Sequence, residues 1–135
     1  MSKLYIILLI ILVVVLFVSF KSQQAKTAAG TAAPYKKITA QEAMSLMQTG
    51  QKLTIVDVRT PAEFTAGHIQ GAINVPNETI GSSAPSALAD LDATILVYCR
   101  SGSRSAQAAK KLLAIGYSNV IDFGGIINWP YEVVR

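Results

Sequence analysis

The chain has few of the residues on which most enzyme sites depend. It contains one cysteine and one histidine among 135 residues. A single cysteine forms no internal disulfide, and one cysteine with one histidine cannot supply the ligands of an ordinary zinc site. Neither GxxxxGK[ST] nor GxGxxG occurs, which excludes the two common phosphate-binding loops. We therefore expect no metal and no organic cofactor.

Charge is sparse and unevenly distributed. The chain has 12 Lys+Arg and 8 Asp+Glu residues, for a net charge of +4. Residues 34–135 hold nine of the basic residues and all eight acidic ones, so the net charge of this part is near +1. The other basic residues, Lys3, Lys21 and Lys26, flank an apolar segment. Because no basic face remains, nucleic acid is excluded as a partner.

The apolar segment Leu4–Phe20 has 17 residues and no charge. As a helix it would cover about 25 Å, against about 30 Å of bilayer hydrocarbon, and flanking lysines can reach the interface. We interpret it as an uncleaved membrane-spanning anchor. The alternative is a cleaved signal peptide, although the run is longer than a usual hydrophobic region. The predicted organisation is an anchor at 1–20, a flexible linker at 21–34 and a domain at 35–135.

The side of the membrane is a separate question, on which two features disagree. More lysines follow the segment than precede it, which favours a cytoplasmic domain. A very short N-terminus before an apolar run is typical of a signal-anchor that exports the downstream domain, and the linker resembles the tethers of exported proteins. We favour an extracytoplasmic domain at the cell membrane.

The stretch Thr94–Ile115 organises the rest of the chain. Ile95–Tyr98 is an apolar run typical of a buried parallel strand, and helical spacing of apolar residues follows the next turn. Cys99 lies where the strand ends and the turn begins. Backbone N–H groups and the positive end of a helix converge there and stabilise a thiolate. A lone cysteine is most often a buried apolar residue, but the polar residues after Cys99 favour a nucleophile.

Other segments predict one α/β domain with a parallel sheet of about five strands and helices on both faces. Thr39 and Glu42 fit a capping box that starts a helix through Gln48. Arg59 is predicted to pair with Glu63, or else to face the pocket. The predicted strands are Tyr35–Ile38, Leu53–Val56, Ala72–Val75, Ile95–Tyr98 and Asn119–Asp122.

Three stretches together resemble rhodanese-like sulfurtransferases, in the order that the family has them, over about residues 36–135. The first is a VDVRTPAEF segment followed by GHI and GAINVP; the second is CRSGSRS; the third holds GY, NV, GGI and WP. The stretches begin at Val56, at Cys99 and at Gly116.

The resemblance implies a double displacement. Cys99 would take the outer sulfur of a small anionic donor such as thiosulfate, and a thiol or a partner protein would accept it. The backbone from Arg100 to Ser105 would cradle the sulfur, while Asp57 and Arg59 would support the loop after their strand, beside that of Cys99. His68 would pack rather than activate the thiol. The predicted cradle residues are Arg100, Ser101, Gly102, Ser103, Arg104 and Ser105, and the two arginines would also attract the donor.

Two alternative functions stay open. The first is a phosphatase or arsenate reductase of the same fold. Such enzymes typically place five residues between the cysteine and the arginine, whereas four separate Cys99 from Arg104 here. A shorter loop suits a single sulfur atom. The second alternative is a non-catalytic interaction module at the membrane, against which the intact Cys99 loop argues.

Some family members have a second basic residue where this chain has Ser101. This difference leaves the identity of the sulfur donor open.

Overall fold

The computed structural model of the protein describes residues 3–26 and 32–135, which form two separate compact units. The first contains helix α1, Lys3–Lys26, whose side chains from Lys3 to Leu16 are all exposed. The helix continues past Phe20 into the predicted linker, and residues 27–31 of that linker lie outside the described residues. Across the described ranges, no helix is both long enough and apolar enough to cross a membrane, so the predicted spanning helix is unsupported.

The second unit is built on one five-stranded sheet in which every pairing is parallel. The strands are β1 Lys36–Lys37, β2 Leu53–Asp57, β3 Ile73–Asn74, β4 Thr94–Cys99 and β5 Asn119–Gly125. Their order in the sheet is β1-β5-β4-β2-β3, with β4 in the centre. This confirms the predicted α/β class and parallel sheet.

The two short helices that precede strand β4 in the chain each begin with a capping box. In α2, Ala40–Gln48, Thr39 accepts the N–H of Glu42 while the Glu42 carboxylate accepts the N–H of Thr39. In α3, Pro61–Ala66, Thr60 and Glu63 exchange the same two bonds. The third helix of the domain, α4, covers Ser103–Ile115, and 3-10 turns cover Asn77–Thr79, Ser86–Leu88 and Ile126–Asn128.

Helices cover both faces of the sheet. Successive side chains of a strand point to opposite faces, so the residues of β4 are divided between two clusters. Ile95, Val97 and Cys99 pack in one buried cluster with the apolar face of α4. Leu96 and Tyr98 pack in the other, which includes α2 and the partly buried Phe64 of α3. Cys99 therefore lies on the α4 side of the sheet.

The strand bounds differ from the sequence prediction. Strands β1 and β3 have two residues each rather than four, and β5 continues through Gly125 rather than ending at Asp122. The pairing of β4 with β5 shifts register between Val97 and Cys99, so that Cys99 is opposite Gly125. In the Gly124–Gly125 pair, where the glycines indicate positive φ or a close backbone approach, Gly124 has a φ of 90° and Gly125 is extended backbone beside the nucleophile.

Candidate active site

Cys99 is the last residue of β4 and is only 1% exposed. Its sulfur accepts the backbone N–H of Gly102 at 3.0 Å. The Ser105 hydroxyl, also buried, lies 3.6 Å from the same sulfur. The chain therefore turns tightly around the Sγ atom and aims a backbone donor at it.

The turn depends on Gly102, which immediately precedes α4 with φ of 103°. L-residues with side chains rarely adopt this conformation, so glycine suits the position. Within residues 32–135, the N–H groups of residues 100, 101 and 103–105 donate to no protein acceptor. These donors belong to the loop and to the first turn of α4, where unpaired N–H groups attract anions.

The end of β5 forms the floor of the loop. The Ser105 hydroxyl lies 3.1 Å from the carbonyl oxygen of Gly102 and 3.3 Å from that of Gly124, and can donate to either. A Cβ atom on Gly102 would lie 3.5 Å from the Cα of Gly124. The loop thus rests directly on backbone rather than on side chains.

A buried carboxylate that sequence reasoning missed holds this floor in place. Asp122 is fully buried; one oxygen accepts the N–H of Gly124 at 2.9 Å and the other accepts the Tyr35 hydroxyl at 2.5 Å. Burial and the bond to Asp122 raise the pKa of Tyr35 to about 12. The one available sequence signal was an acid inside the apolar run of β5.

The two arginines of the loop are in different situations. Arg104 donates two hydrogen bonds to the carboxylate of Glu63, at 2.8 and 2.9 Å. These bonds, together with the cap at Thr60, lower the pKa of Glu63 to about 2. Arg100 is exposed, and in the part of the chain that the structure describes its side chain has no hydrogen-bonding or ionic partner.

The predicted pairing of Arg59 with Glu63 is wrong. Arg59 is buried and donates to both carboxylate oxygens of Asp57, at distances from 2.6 to 3.0 Å. Burial opposes the charge of Arg59, but its bonds to Asp57 outweigh that effect and raise its pKa. The guanidinium also donates to the carbonyl oxygen of Gly67. None of these bonds reaches residues 100–105.

The contacts of His68 among the described residues also lie outside the Cys99 loop. Its ring stacks on Phe64 with 3.8 Å between centroids, and its Nδ1 lies 2.9 Å from the carbonyl oxygen of Phe64. Its backbone exchanges hydrogen bonds with Val134. These contacts are those of a packing residue, as the family resemblance implied.

A pocket of about 840 Å³ does not include the cysteine. It is lined in part by Met44, Met47 and Trp129, on the α2 side of the sheet. A smaller pocket of about 370 Å³ borders the loop at Ser101 and its floor at Gly124 and Gly125. Within residues 3–26 and 32–135, no group of three metal-ligating side chains is found.

Comparison with known proteins gives a consistent picture. The family described as "Rhodanese-like domain" matches residues 39–130. The chain is 36% identical over 106 residues to the probable adenylyltransferase/sulfurtransferase MoeZ of Mycobacterium tuberculosis, covering 78% of this chain but only 27% of that protein. It is 37% identical to the thiosulfate sulfurtransferase GlpE of Pseudomonas entomophila, covering 67% of this chain and 80% of the relative.

Solved structures agree with the fold. A structure described as rhodanese with anions from E. coli is 34% identical, with a TM-score of 0.55, and the match covers 61% of this chain and 96% of the other. A rhodanese-related protein from Thermoplasma volcanium is 31% identical, with a TM-score of 0.63 and coverage of 74% and 98%.

Proposed function

The chain belongs to the rhodanese-like domain family, and from this membership we propose that it moves a sulfane sulfur from a small anionic donor to a thiophilic acceptor through a persulfide on Cys99. The contact that carries the proposal is the 3.0 Å bond from the Gly102 N–H to the Cys99 sulfur. The thiolate is the nucleophilic form of a cysteine, and the Gly102 N–H is a donor aimed at the sulfur that attacks.

In the first half-reaction, the Cys99 thiolate attacks the outer sulfur of the donor. A bond forms between the two sulfurs, and with thiosulfate as donor the S–S bond to the sulfonate breaks, so that sulfite leaves with the electron pair. The unpaired N–H groups of the loop are suited to the negative charge on the transferred sulfur. Arg100 adds an exposed positive charge that attracts the donor.

In the second half-reaction, an acceptor thiolate attacks the outer sulfur of the persulfide. The bond from that sulfur to Cys99 breaks, Cys99 returns as a thiolate, and the acceptor leaves as a persulfide. No other group has to be oxidised or reduced. A small thiol or a protein cysteine can serve as acceptor, and Ser101, which replaces a second basic residue of some relatives, leaves thiosulfate as one donor among several.

Intact mass after incubation with thiosulfate tests the proposal. We expect the protein to gain the mass of one sulfur atom and to lose it on addition of a thiol. Cys99→Ser is the control: it should keep its melting temperature and gain no sulfur. Release of phosphate from a phosphoester would instead favour the phosphatase alternative. Absence of both reactions would favour a non-catalytic module.

We also propose that the segment Leu4–Phe20 holds the domain at the cell membrane, on its extracytoplasmic side. The support is its 17 uncharged residues and flanking lysines. Cys99 is the only thiol, so a membrane-impermeant maleimide on whole cells gives an unambiguous signal. Labelling of intact cells is expected. Labelling only after lysis, when the purified protein reacts readily, would place the domain inside, and recovery in the soluble fraction would contradict the anchor.

A further inference from the structure

Glu63 joins two parts of the chain that are far apart in sequence. Its carboxylate accepts two bonds from Arg104, the second residue of α4, and also the N–H and hydroxyl of Thr60 at the start of α3. The Glu63 side chain is therefore held from both sides. Its position follows from the capping box, and Arg104 binds a carboxylate that is already oriented.

This arrangement changes the charge that the loop presents. Sequence reasoning treated Arg100 and Arg104 as two cations available to a donor. Glu63 neutralises the charge of Arg104, since both of its carboxylate oxygens accept hydrogen bonds from the guanidinium. The bonds and charge of Glu63 raise the pKa of Arg104, and Arg104 belongs to the first turn of α4, directly after the Cys99 loop. Arg100 is left as the exposed cation of the loop.

We propose that Glu63 is a specificity-determining residue, which masks Arg104 and thereby sets the loop to favour sulfur donors of single negative charge over dianionic ones. The inference rests on the proposed function and deepens it. A loop with two free arginines would offset both charges of a dianion. With Arg104 masked, the backbone donors and Arg100 match one charge, and the second charge of a dianion meets the carboxylate of Glu63 nearby.

Two donors that transfer the same atom separate this effect from the chemistry. Thiosulfate is a dianion, and its transfer releases sulfite. The methanethiosulfonate anion carries one charge, and its transfer releases methanesulfinate with the electron pair of the broken S–S bond. In both reactions the Cys99 thiolate forms the new S–S bond. A variant that changes only the electrostatics of the loop should therefore alter the ratio of the two loading rates.

The chain offers a matched control for the variant. Glu63→Gln keeps a side chain that completes the capping box but removes the charge facing Arg104. Glu42→Gln makes the same change in the other capping box, where the carboxylate engages Thr39 alone among the hydrogen bonds described. The measurement is the second-order rate of sulfur loading on Cys99, followed by intact mass, for each donor at low and high salt.

We expect Glu63→Gln to raise the thiosulfate-to-methanethiosulfonate rate ratio about two- to fivefold, the range that a partly exposed ion pair supports. High salt should reduce the change, because exposed charges are screened. Glu42→Gln should leave the ratio at the wild-type value, and Glu63→Asp, which keeps the charge, should move it back toward wild type.

Equal changes for both donors would show that Glu63 acts only on the shape of the loop, and would overturn the proposal. A shift of the same size in Glu42→Gln would overturn it as well. Failure of the wild-type protein to gain sulfur from either donor is a different result, since it would refute the proposed function itself.

Discussion

Gly125 on β5 lies so close to Arg100 that a Cβ atom added to the glycine would be 2.2 Å from the Arg100 carbonyl oxygen. The Arg100 carbonyl carbon and the Ser101 Cα would both be 2.7 Å away. These are backbone atoms, so no side-chain rotation relieves the overlap. Gly125 itself has an ordinary extended conformation, with φ of −117°. Glycine is required here for space rather than for backbone freedom.

Gly125→Ala should therefore displace the Cys99 loop. We expect sulfur loading of Cys99 to fall at least about tenfold and the free energy of unfolding to fall by about 1–3 kcal/mol, as overpacking usually costs. Loading is followed by intact mass and unfolding by urea titration. Gly81→Ala is the control, since a Cβ there meets nothing within 4 Å. Wild-type loading by Gly125→Ala would show that the loop does not need this floor.

The ion pair between Glu63 and Arg104 should make stability depend on pH in the acid range. The folded-state pKa of Glu63 lies near 2, below its ordinary value of 4.5, so the pair contributes fully above about pH 4.5. The contribution is lost as the pH falls from about 4.5 to about 2. The effect is small, because the two side chains are 27% and 30% exposed.

Comparison with Arg104→Gln isolates that contribution. Urea midpoints of the wild type and the variant should differ at pH 7 and approach each other between pH 4.5 and pH 3. A difference that stays constant over this range would mean that Glu63 titrates normally despite its contact with Arg104.

His68→Ala should lower stability and spare the chemistry. The ring stacks on Phe64 and its Nδ1 hydrogen-bonds the Phe64 carbonyl, and their loss should cost about 1 kcal/mol. Thermal unfolding and the rate of sulfur loading measure the two effects separately. A large fall in loading at an unchanged melting temperature would instead make His68 part of the reaction.

Tyr35→Phe should destabilise the domain by about 1–3 kcal/mol, because the buried Asp122 carboxylate loses a donor. The raised pKa of Tyr35 also makes the wild type sensitive to alkali. Its hydrogen bond contributes fully below about pH 10 and is lost as the pH rises from 10.0 to about 12.

The stability difference between wild type and Tyr35→Phe should accordingly shrink as the pH is raised from 8 towards 11, measured by urea unfolding. Tyr131→Phe is the control, because that residue is 40% exposed and its hydroxyl makes no hydrogen bond among the described residues. A difference as large at pH 11 as at pH 8 would contradict the assigned role of the Tyr35 hydroxyl.

The parts of the fold that were predictable have local signals. The capping box of α2 connects residues three apart, and the apolar run of β4 ends at a polar loop that starts a helix. Such patterns depend on neighbours in the chain, so a sequence displays them directly. The parallel sheet followed from alternating strand and helix segments.

The contacts around the loop were not predictable in the same way. Glu63 is four residues from Arg59 but 41 from Arg104, and sequence proximity favoured the wrong partner. The decisive fact is that Arg59 turns inward to Asp57, which only the packed structure reveals. Tyr35 and Asp122 are 87 residues apart, and no pattern in either segment connects them.

The strand order has a consequence for biosynthesis. Among the described residues strand β1 pairs only with β5, so β1 has no neighbour in the sheet until β5 has left the ribosome. The central strand also lacks one of its two partners until then. Contacts this distant in sequence form late in folding. A nascent chain that stops short of Gly125 carries Cys99 without the backbone that shapes its loop, so the thiol acquires its chemistry only when translation of the domain is complete.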